Sequence, residues 1–162
     1  MKEKEELLVA APLSLRLYWE GDKLAQMRLR WAAKGEKSHI ETKTGHELAK
    51  ALDRYVAGEA VTWPKLPIDF DALPHFHQKV LTQLQRVPAG QVVSYKGLAK
   101  LCGSANAARA VGHTMATNRW PLIFPCHRVL KSDKTLGGFG PGLDMKRWLL
   151  ELEGVPPDAI KG

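Results

Sequence analysis

The sequence predicts an α+β protein in two parts, a small N-terminal α/β domain over residues 1–70 and a C-terminal domain of short helices over residues 71–162. In the first part apolar side chains alternate as they do in strands, and in the second they recur at helical spacing between tight turns. A linker is expected from about residue 59, because Pro64, Pro67 and Pro74 follow in a stretch without helical period.

Two alternating runs in the first part predict a β-hairpin. Residues 13–19 and 24–31 alternate, and Gly21-Asp22 supplies the turn between them. Residues 44–47 then have the spacing of a capping box, which predicts that Thr44 opens an amphipathic helix. Gly58 is placed to end that helix.

Three short helices follow in the second part. The apolar residues at positions 76, 80, 81, 84 and 87 share one helical face, and residues 88–90 end that helix. Ser94 is predicted to cap a second helix over residues 95–101, and Ser104 or Asn106 to cap a third over residues 107–116. Two short helices around a glycine turn have the proportions of a helix-turn-helix.

The order of the remaining elements predicts a winged-helix domain. After the helix pair come an expected hairpin from Val129 to Phe139 and a final helix around Leu143 to Glu153. Residues 156–162 are expected to form a tail.

Positive charge is concentrated in the second part. The chain carries 24 Lys and Arg against 17 Asp and Glu, a net charge of +7 with neutral His. Residues 1–74 hold 12 basic and 12 acidic side chains, whereas residues 75–162 hold 12 basic and 5 acidic side chains. No carboxylate occurs between Asp71 and Asp133, a stretch with eight basic residues. Such a field is typical of a protein that binds nucleic acid, although a solvated face that only confers solubility has the same charge.

Composition excludes several classes of protein. A hydrophobic content of 44% and a charged content of 25% are those of a globular protein. With 2 cysteines, Cys102 and Cys126, a disulfide scaffold or a cysteine-rich zinc module is not expected. Glutamates at the N-terminus argue against a secretory signal, and no apolar run is long enough for a membrane span. We therefore expect an intracellular protein with reduced thiols, in the cytoplasm or, in a eukaryote, the nucleus.

Cys126 is the candidate nucleophile. It follows the apolar run Leu122-Ile123-Phe124 and precedes His127, which could help to form the thiolate through a water. A lone buried cysteine is more often inert, and a lone histidine more often structural. The third helix presents a smooth face of small residues with the single cation Arg109, which suits close approach to a DNA groove or tight packing on another helix.

These residues together resemble one family. The motifs are Ser94-Tyr95, residues 107–112, Asn118, residues 123–129 and residues 149–154, and they resemble O6-alkylguanine-DNA alkyltransferases over roughly residues 74–154. The N-terminal part matches only in size and texture, and there the resemblance implies a ribonuclease-H-like α/β domain.

The resemblance implies direct reversal of DNA damage, with the activity of a methylated-DNA-[protein]-cysteine S-methyltransferase. Cys126 would accept the alkyl group, His127 would act as base through water, Glu153 would orient the imidazole, and Asn118 would order the turn before the cysteine. Taken alone, Glu153 would be a surface residue of a helix. The thioether has no easy reversal, so each molecule would act once.

The resemblance also implies how DNA is held. Tyr95 would rotate the phosphate of the target nucleotide, and Arg109 would replace the extruded base in the stack. The groove-facing and phosphate-contacting residues would be Ala107, Ala108, Gly112, His77, Lys96, Ser104 and Ser132. The pocket would be lined by Met115, Val129 and Phe139. The expected partner is double-stranded DNA containing O6-alkylguanine, bound by a monomer with no cofactor and no membrane.

Two departures from the family pattern stand out. Phe139 occupies a position where the family commonly has Tyr, so the range of accepted alkyl groups is open. Residues 1–101 contain no Cys, so the zinc that some members carry is not expected. Two other functions remain open at this point: a lesion-binding winged-helix protein without catalysis, and a Cys-His-Glu thiol hydrolase.

Overall fold

The computed structural model describes residues 3–162, and Met1 and Lys2 of the predicted first domain lie outside them. It is an α+β structure with two compact units, Met1–Asp69 and Phe70–Gly162. The sequence placed this boundary between residues 70 and 71. Among the described residues, no helix is both long and apolar enough to cross a membrane.

The first unit is a three-stranded antiparallel sheet covered by one helix. The strands are β1 (Glu3–Ala10), β2 (Leu13–Glu20) and β3 (Lys23–Trp31), in the order β1-β2-β3. The predicted hairpin is confirmed as β2 and β3, with Gly21 at φ 59° in the turn. Helix α1 (Lys43–Val56) buries an apolar stripe that includes Leu48 and Leu52. Alternation along β2 places Leu13, Leu15 and Leu17 in the core.

The cap of α1 differs from the prediction. Thr42, not Thr44, is the N-cap, and its hydroxyl accepts a hydrogen bond from the N–H of Gly45. The buried carboxylate of Glu6 decides this, because it accepts hydrogen bonds from the N–H of Glu41, the N–H and hydroxyl of Thr42 and the indole of Trp19. A tertiary contact therefore selects the start of the helix over the local sequence signal. Gly58, at φ 83°, ends the helix as predicted.

Four helices and one pair of short strands form the second unit. The helices are α2 (His75–Gln85), α3 (Tyr95–Leu101), α4 (Ala108–Ala116) and α5 (Leu143–Leu152), and the strands are β4 (Val93–Ser94) and β5 (Val129–Leu130). Helix α3 packs against both α2 and α4. The hydroxyl of Ser94 caps α3, as predicted. The N-cap of α4 is Ala107, which has no side-chain oxygen, so the prediction of Ser104 or Asn106 as its cap is wrong.

The hairpin predicted from Val129 to Phe139 is wrong. β5 has two residues and pairs in parallel with β4, and the chain then turns, with Lys131 N–H donating to Thr135 O. The run of glycine and proline at residues 137–142 is unsuited to a strand, because neither residue stabilises a ladder.

The predicted tail is also wrong. Val155 and Ile160 are buried in an apolar cluster with Leu130, Leu136 and Leu150. The N–H of Lys161 donates to Lys134 O, which joins this C-terminal segment to the turn after β5. The segment therefore supports the strand that follows Cys126.

Candidate active site

A tight turn after a buried apolar run positions Cys126. Pro125 has φ −77° and ψ 69°, and the N–H of Cys126 donates to Phe124 O at 2.7 Å, which is an inverse γ-turn. Cys126 then opens a single 3-10 turn, Cys126–Arg128, that leads into β5. The residue is 8% exposed. Burial raises the pKa of its thiol, while hydrogen bonding to Asn118 and the charge of Lys146 lower it.

Asn118 ties together the loop before Cys126. Its Nδ2 donates to Phe124 O at 2.8 Å, and its Oδ1 accepts from the N–H of Trp120 at 3.1 Å. The amide thus holds both sides of residues 118–124, a loop in which buried Leu122 has φ 73°. This left-handed conformation is strained for a leucine, so the loop needs contacts such as those of Asn118 to hold it.

Glu153 is buried and holds the side chains of His127 and Arg128 in place. Its Oε2 lies 2.7 Å from His127 Nε2, and Arg128 donates through Nε to Oε1 at 2.8 Å and through Nη2 to Oε2 at 3.1 Å. Arg128 also donates to Val87 O at 2.7 Å. The side chain of Glu153 is 2% exposed, so the surface interpretation that fits this residue in isolation does not hold.

Opposing effects set the charge of this carboxylate. Burial raises the pKa of Glu153, but the hydrogen bonds and charges of His127 and Arg128 outweigh burial and lower the pKa to about 2. Since this value lies below the ordinary 4.5, the stability that Glu153 contributes is present above pH 4.5 and is lost as the pH falls toward 2. Glu153 is therefore ionised at neutral pH.

His127 is a neutral base with one free nitrogen. The side chain is buried, and burial lowers the pKa of its imidazole although Glu153 acts in the opposite direction. Because Nε2 faces a carboxylate, it carries the proton, and Nδ1 has the lone pair. Nδ1 is buried and has no hydrogen-bond partner among residues 3–162. The imidazole is thus held ready to accept a proton at Nδ1.

Lys146 is, with Arg128, a residue of this site that sequence reasoning missed. It lies on α5 and is fully buried. Its ammonium donates to Val129 O at 2.7 Å, to Gly138 O at 3.2 Å and to Leu136 O. Burial lowers the pKa of Lys146 to about 8, and the charge of Cys126 acts against this lowering. The sequence signal for its burial was its place on α5 between Met145 and Leu149, two apolar residues that are also buried.

Tyr95 and Phe139 lie beside the loop after β5. Burial and the charge of Cys126 raise the pKa of the Tyr95 phenol, against a hydrogen bond from Gly138. A Cβ at Gly137 would lie 3.1 Å from the Tyr95 hydroxyl, so this loop is held close to the phenol. The Phe139 ring lies 6.4 Å from that of His127, edge to face. The other two predicted pocket residues, Met115 and Val129, are buried.

The predicted DNA-contacting residues are mostly at the surface. Arg109 is exposed on the first turn of α4, and Ala107, Ala108 and Gly112 are half-buried around it. Lys96, Ser104 and Ser132 are exposed, and His77 is half-buried. The geometry therefore separates an exposed set around α4 from a buried group formed by Cys126, His127, Arg128, Lys146 and Glu153, with half-buried Asn118 beside it.

Both cysteines are free thiols, and burial raises the pKa of Cys102, against the nearby charge of Lys79. Among the described residues, no group of three or more His, Cys, Asp or Glu is arranged to hold a metal ion. The chemistry of the buried group is that of a thiol, a base and a carboxylate.

Comparison with known proteins places this site in a family. The model of the 6-O-methylguanine DNA methyltransferase DNA-binding domain matches residues 75–155, which contain the whole buried group. The chain belongs to the 6-O-methylguanine DNA methyltransferase family.

Relatives and solved structures agree with this membership. The methylated-DNA–protein-cysteine methyltransferase of Metallosphaera sedula is 36% identical over 119 residues, 74% of each chain. That of Haemophilus influenzae is 38% identical over 106 residues, which are 65% of this chain and 59% of the relative. The chain therefore spans less than two thirds of this second relative. The crystal structure of Mycobacterium tuberculosis OGT in complex with DNA is similar with a TM-score of 0.75 and 32% identity, over 95% of this chain and 96% of that one.

Proposed function

We propose that this 6-O-methylguanine DNA methyltransferase family member repairs O6-alkylguanine in double-stranded DNA by moving the alkyl group onto Cys126. The observation that carries the proposal is the buried pairing of His127 with Glu153 beside Cys126, in which Nδ1 of the imidazole is free to take a proton. A thiol that its surroundings keep protonated needs such a base in order to react.

The reaction follows from these groups. A water relays the thiol proton of Cys126 to Nδ1 of His127, and Glu153 stabilises the imidazolium that forms. The thiolate lone pair forms the sulfur–carbon bond while the bond from carbon to O6 breaks and its electron pair stays on guanine. The Tyr95 hydroxyl stabilises this developing charge and is the proton donor to the leaving purine.

Lys146 and Asn118 position the nucleophile. The Lys146 ammonium fixes the carbonyls of Val129, Leu136 and Gly138, and its charge favours the thiolate. Asn118 fixes the loop that ends at Cys126. Met115, Val129 and Phe139 line the pocket for the base.

DNA is held by the exposed set around α4. Helices α3 and α4 act as a helix-turn-helix, with Ala107, Ala108 and Gly112 toward the groove. Arg109 fills the stack where guanine is flipped out, which offsets a cost on the order of a few kcal/mol. Phosphates are contacted by Lys96, Ser104, Ser132 and His77. The M. tuberculosis OGT structure in complex with DNA supports this use of the fold.

Several finer assignments stay predictions. They are a division into domains 1–70 and 71–162, a ribonuclease-H-like class for the first domain, a monomeric state, an intracellular location, and activity without a metal or cofactor.

Mass spectrometry tests the proposal. After incubation with a duplex containing O6-methylguanine, we expect the mass of one methyl group on Cys126. Cys126→Ala should abolish transfer and keep binding to the damaged duplex, and Cys102→Ala should transfer normally. An unmodified Cys126 in the wild-type protein, under conditions where the duplex is bound, would contradict the proposal. Turnover of an ester or peptide would then favour the thiol hydrolase.

A further inference from the structure

Two histidines of neighbouring helices are in contact on the second unit. The rings of His77 on α2 and His113 on α4 have centroids 5.8 Å apart and planes tilted by 49°. His77 is half-buried, and His113 is exposed. His113 follows Arg109 by four residues, so the two side chains share one face of α4. The histidine pair therefore lies along the helix face that carries the proposed intercalating arginine.

The surroundings of the histidine pair are almost free of negative charge. The helices that pack together here are α2, α3 and α4, with the 3-10 turn Phe70–Ala72 against α2. Besides the pair, the charged and titratable residues of these four elements are Asp71, His75, Lys79, Tyr95, Lys96, Lys100 and Arg109. Asp71 is the single acid in this set. The histidine pair therefore lies in a mostly positive surrounding, which favours an anionic ligand.

A phosphate group is an anion that suits the positive surroundings of the histidine pair. Imidazole is the side chain whose charge ordinarily changes between pH 5 and 8, and a protonated imidazole makes a strong, charge-assisted hydrogen bond to phosphate. An anion beside the histidine pair would therefore draw one proton onto it.

We propose that His77 and His113 together form a proton-dependent contact to a DNA phosphate, so that the duplex binds with uptake of one proton. The proposal rests on the DNA binding inferred above. It adds His113 to the binding surface and predicts that affinity for DNA increases as the pH falls through neutrality.

Fluorescence anisotropy with an undamaged duplex, at constant ionic strength and at pH 6, 7 and 8, tests the histidine pair. A single linked proton changes affinity at most tenfold per pH unit, and we expect a rise of about fivefold between pH 8 and pH 6 for the wild-type protein. The double variant His77→Gln/His113→Gln should lose this rise. His75→Gln, a matched change on α2 outside the pair, should keep it.

A variant with a permanent positive charge at position 113 provides the second test. His113→Arg should bind at pH 8 about as tightly as the wild-type protein binds at pH 6, with a weak dependence on pH. A wild-type affinity that does not change with pH, or a double variant that keeps the full response, would overturn the proposal. Failure of the proposed repair function is read separately, from methyl transfer to Cys126 by the wild-type protein at pH 8, where neither histidine is varied.

Discussion

Lys146 is a buried cation whose ammonium is fully hydrogen-bonded, which offsets the free-energy cost of its burial. An ammonium has three N–H donors, and Lys146 directs all three to backbone carbonyls, those of Val129, Leu136 and Gly138. These carbonyls come from β5 and from the loop that follows it. One side chain thus joins two parts of the site and adds a positive charge that favours the Cys126 thiolate.

Replacing Lys146 by Met should therefore raise the pKa of Cys126. The charge that favours the thiolate is lost, and a shift of about one pH unit is expected for one nearby cation. The pH midpoint for alkylation by iodoacetamide measures it. Lys161→Met, at an exposed position, serves as the control and should leave the midpoint unchanged. An unshifted midpoint in folded Lys146→Met protein would show that the ammonium does not act on the thiol.

For individual residues of the site, the sequence predicted some roles and missed others. Cys126 and His127 are adjacent, and their pattern alone pointed to a thiol with a base. Glu153 is separated from His127 by 26 positions, and its role came from resemblance because no local pattern distinguishes it from a surface glutamate. Lys146 was missed because a lysine on a helix is ordinarily solvated, and its burial depends on carbonyls brought together by the fold.

The C-terminal segment after α5 is an element of the core. Val155 and Ile160 pack in one cluster with Leu130, four residues after Cys126, so the segment supports the strand that leaves the active site. Its two adjacent prolines suggested a tail, but the apolar residues on either side of them are buried. Burial of this kind depends on partners at positions 130, 136 and 150, which no local pattern identifies.

Truncating Ile160 should measure the contribution of this segment. Ile160 is 6% exposed, and we expect Ile160→Ala to lower the free energy of unfolding by about 2 to 4 kcal/mol, as for other buried Ile to Ala changes. Urea denaturation followed by circular dichroism gives this value. Lys161→Ala, next to it and exposed, should change it little. If the two variants were equally stable, the segment would not be part of the folded core.

Helices were predicted well where their signals are local. Ser94 before α3 and Gly58 after α1 act within one turn of the helix, so the sequence shows them directly. The pairing of β5 with β4 joins residues about 36 positions apart, and the hairpin predicted instead was the nearest local alternative. Long-range pairing and the Glu6 contact that moves the start of α1 are tertiary effects.

At the scale of the whole molecule, the excess of positive charge predicts how DNA affinity depends on salt. The acid-free stretch between Asp71 and Asp133 contains Arg109 and Lys96, both exposed. Each phosphate that is neutralised releases counterions and contributes about 0.9 to the slope of log affinity against log salt. Contacts of this kind are independent of base sequence.

We therefore expect affinity for undamaged duplex to fall steeply with salt, with a slope of about −3 to −6. Lys96→Gln should reduce the magnitude of the slope by about one, and Lys50→Gln, on α1, should not change it. Anisotropy titrations between low and moderate salt give these slopes. A slope near zero would mean that the basic stretch does not contact phosphates, even if Cys126 accepts the alkyl group.

Local and compositional features of the chain were enough to predict the α+β composition, the helices with local caps, the basic second part and the candidate thiol with its neighbouring base. These properties depend on the spacing of neighbouring residues or on the total numbers of residues of each type, both of which are visible in the sequence. It is evident only in the folded protein that Glu153 and Lys146 are buried beside Cys126, that β5 pairs with β4, and that His77 touches His113. Each of these depends on side chains distant in sequence, whose contact is set by packing of the whole unit.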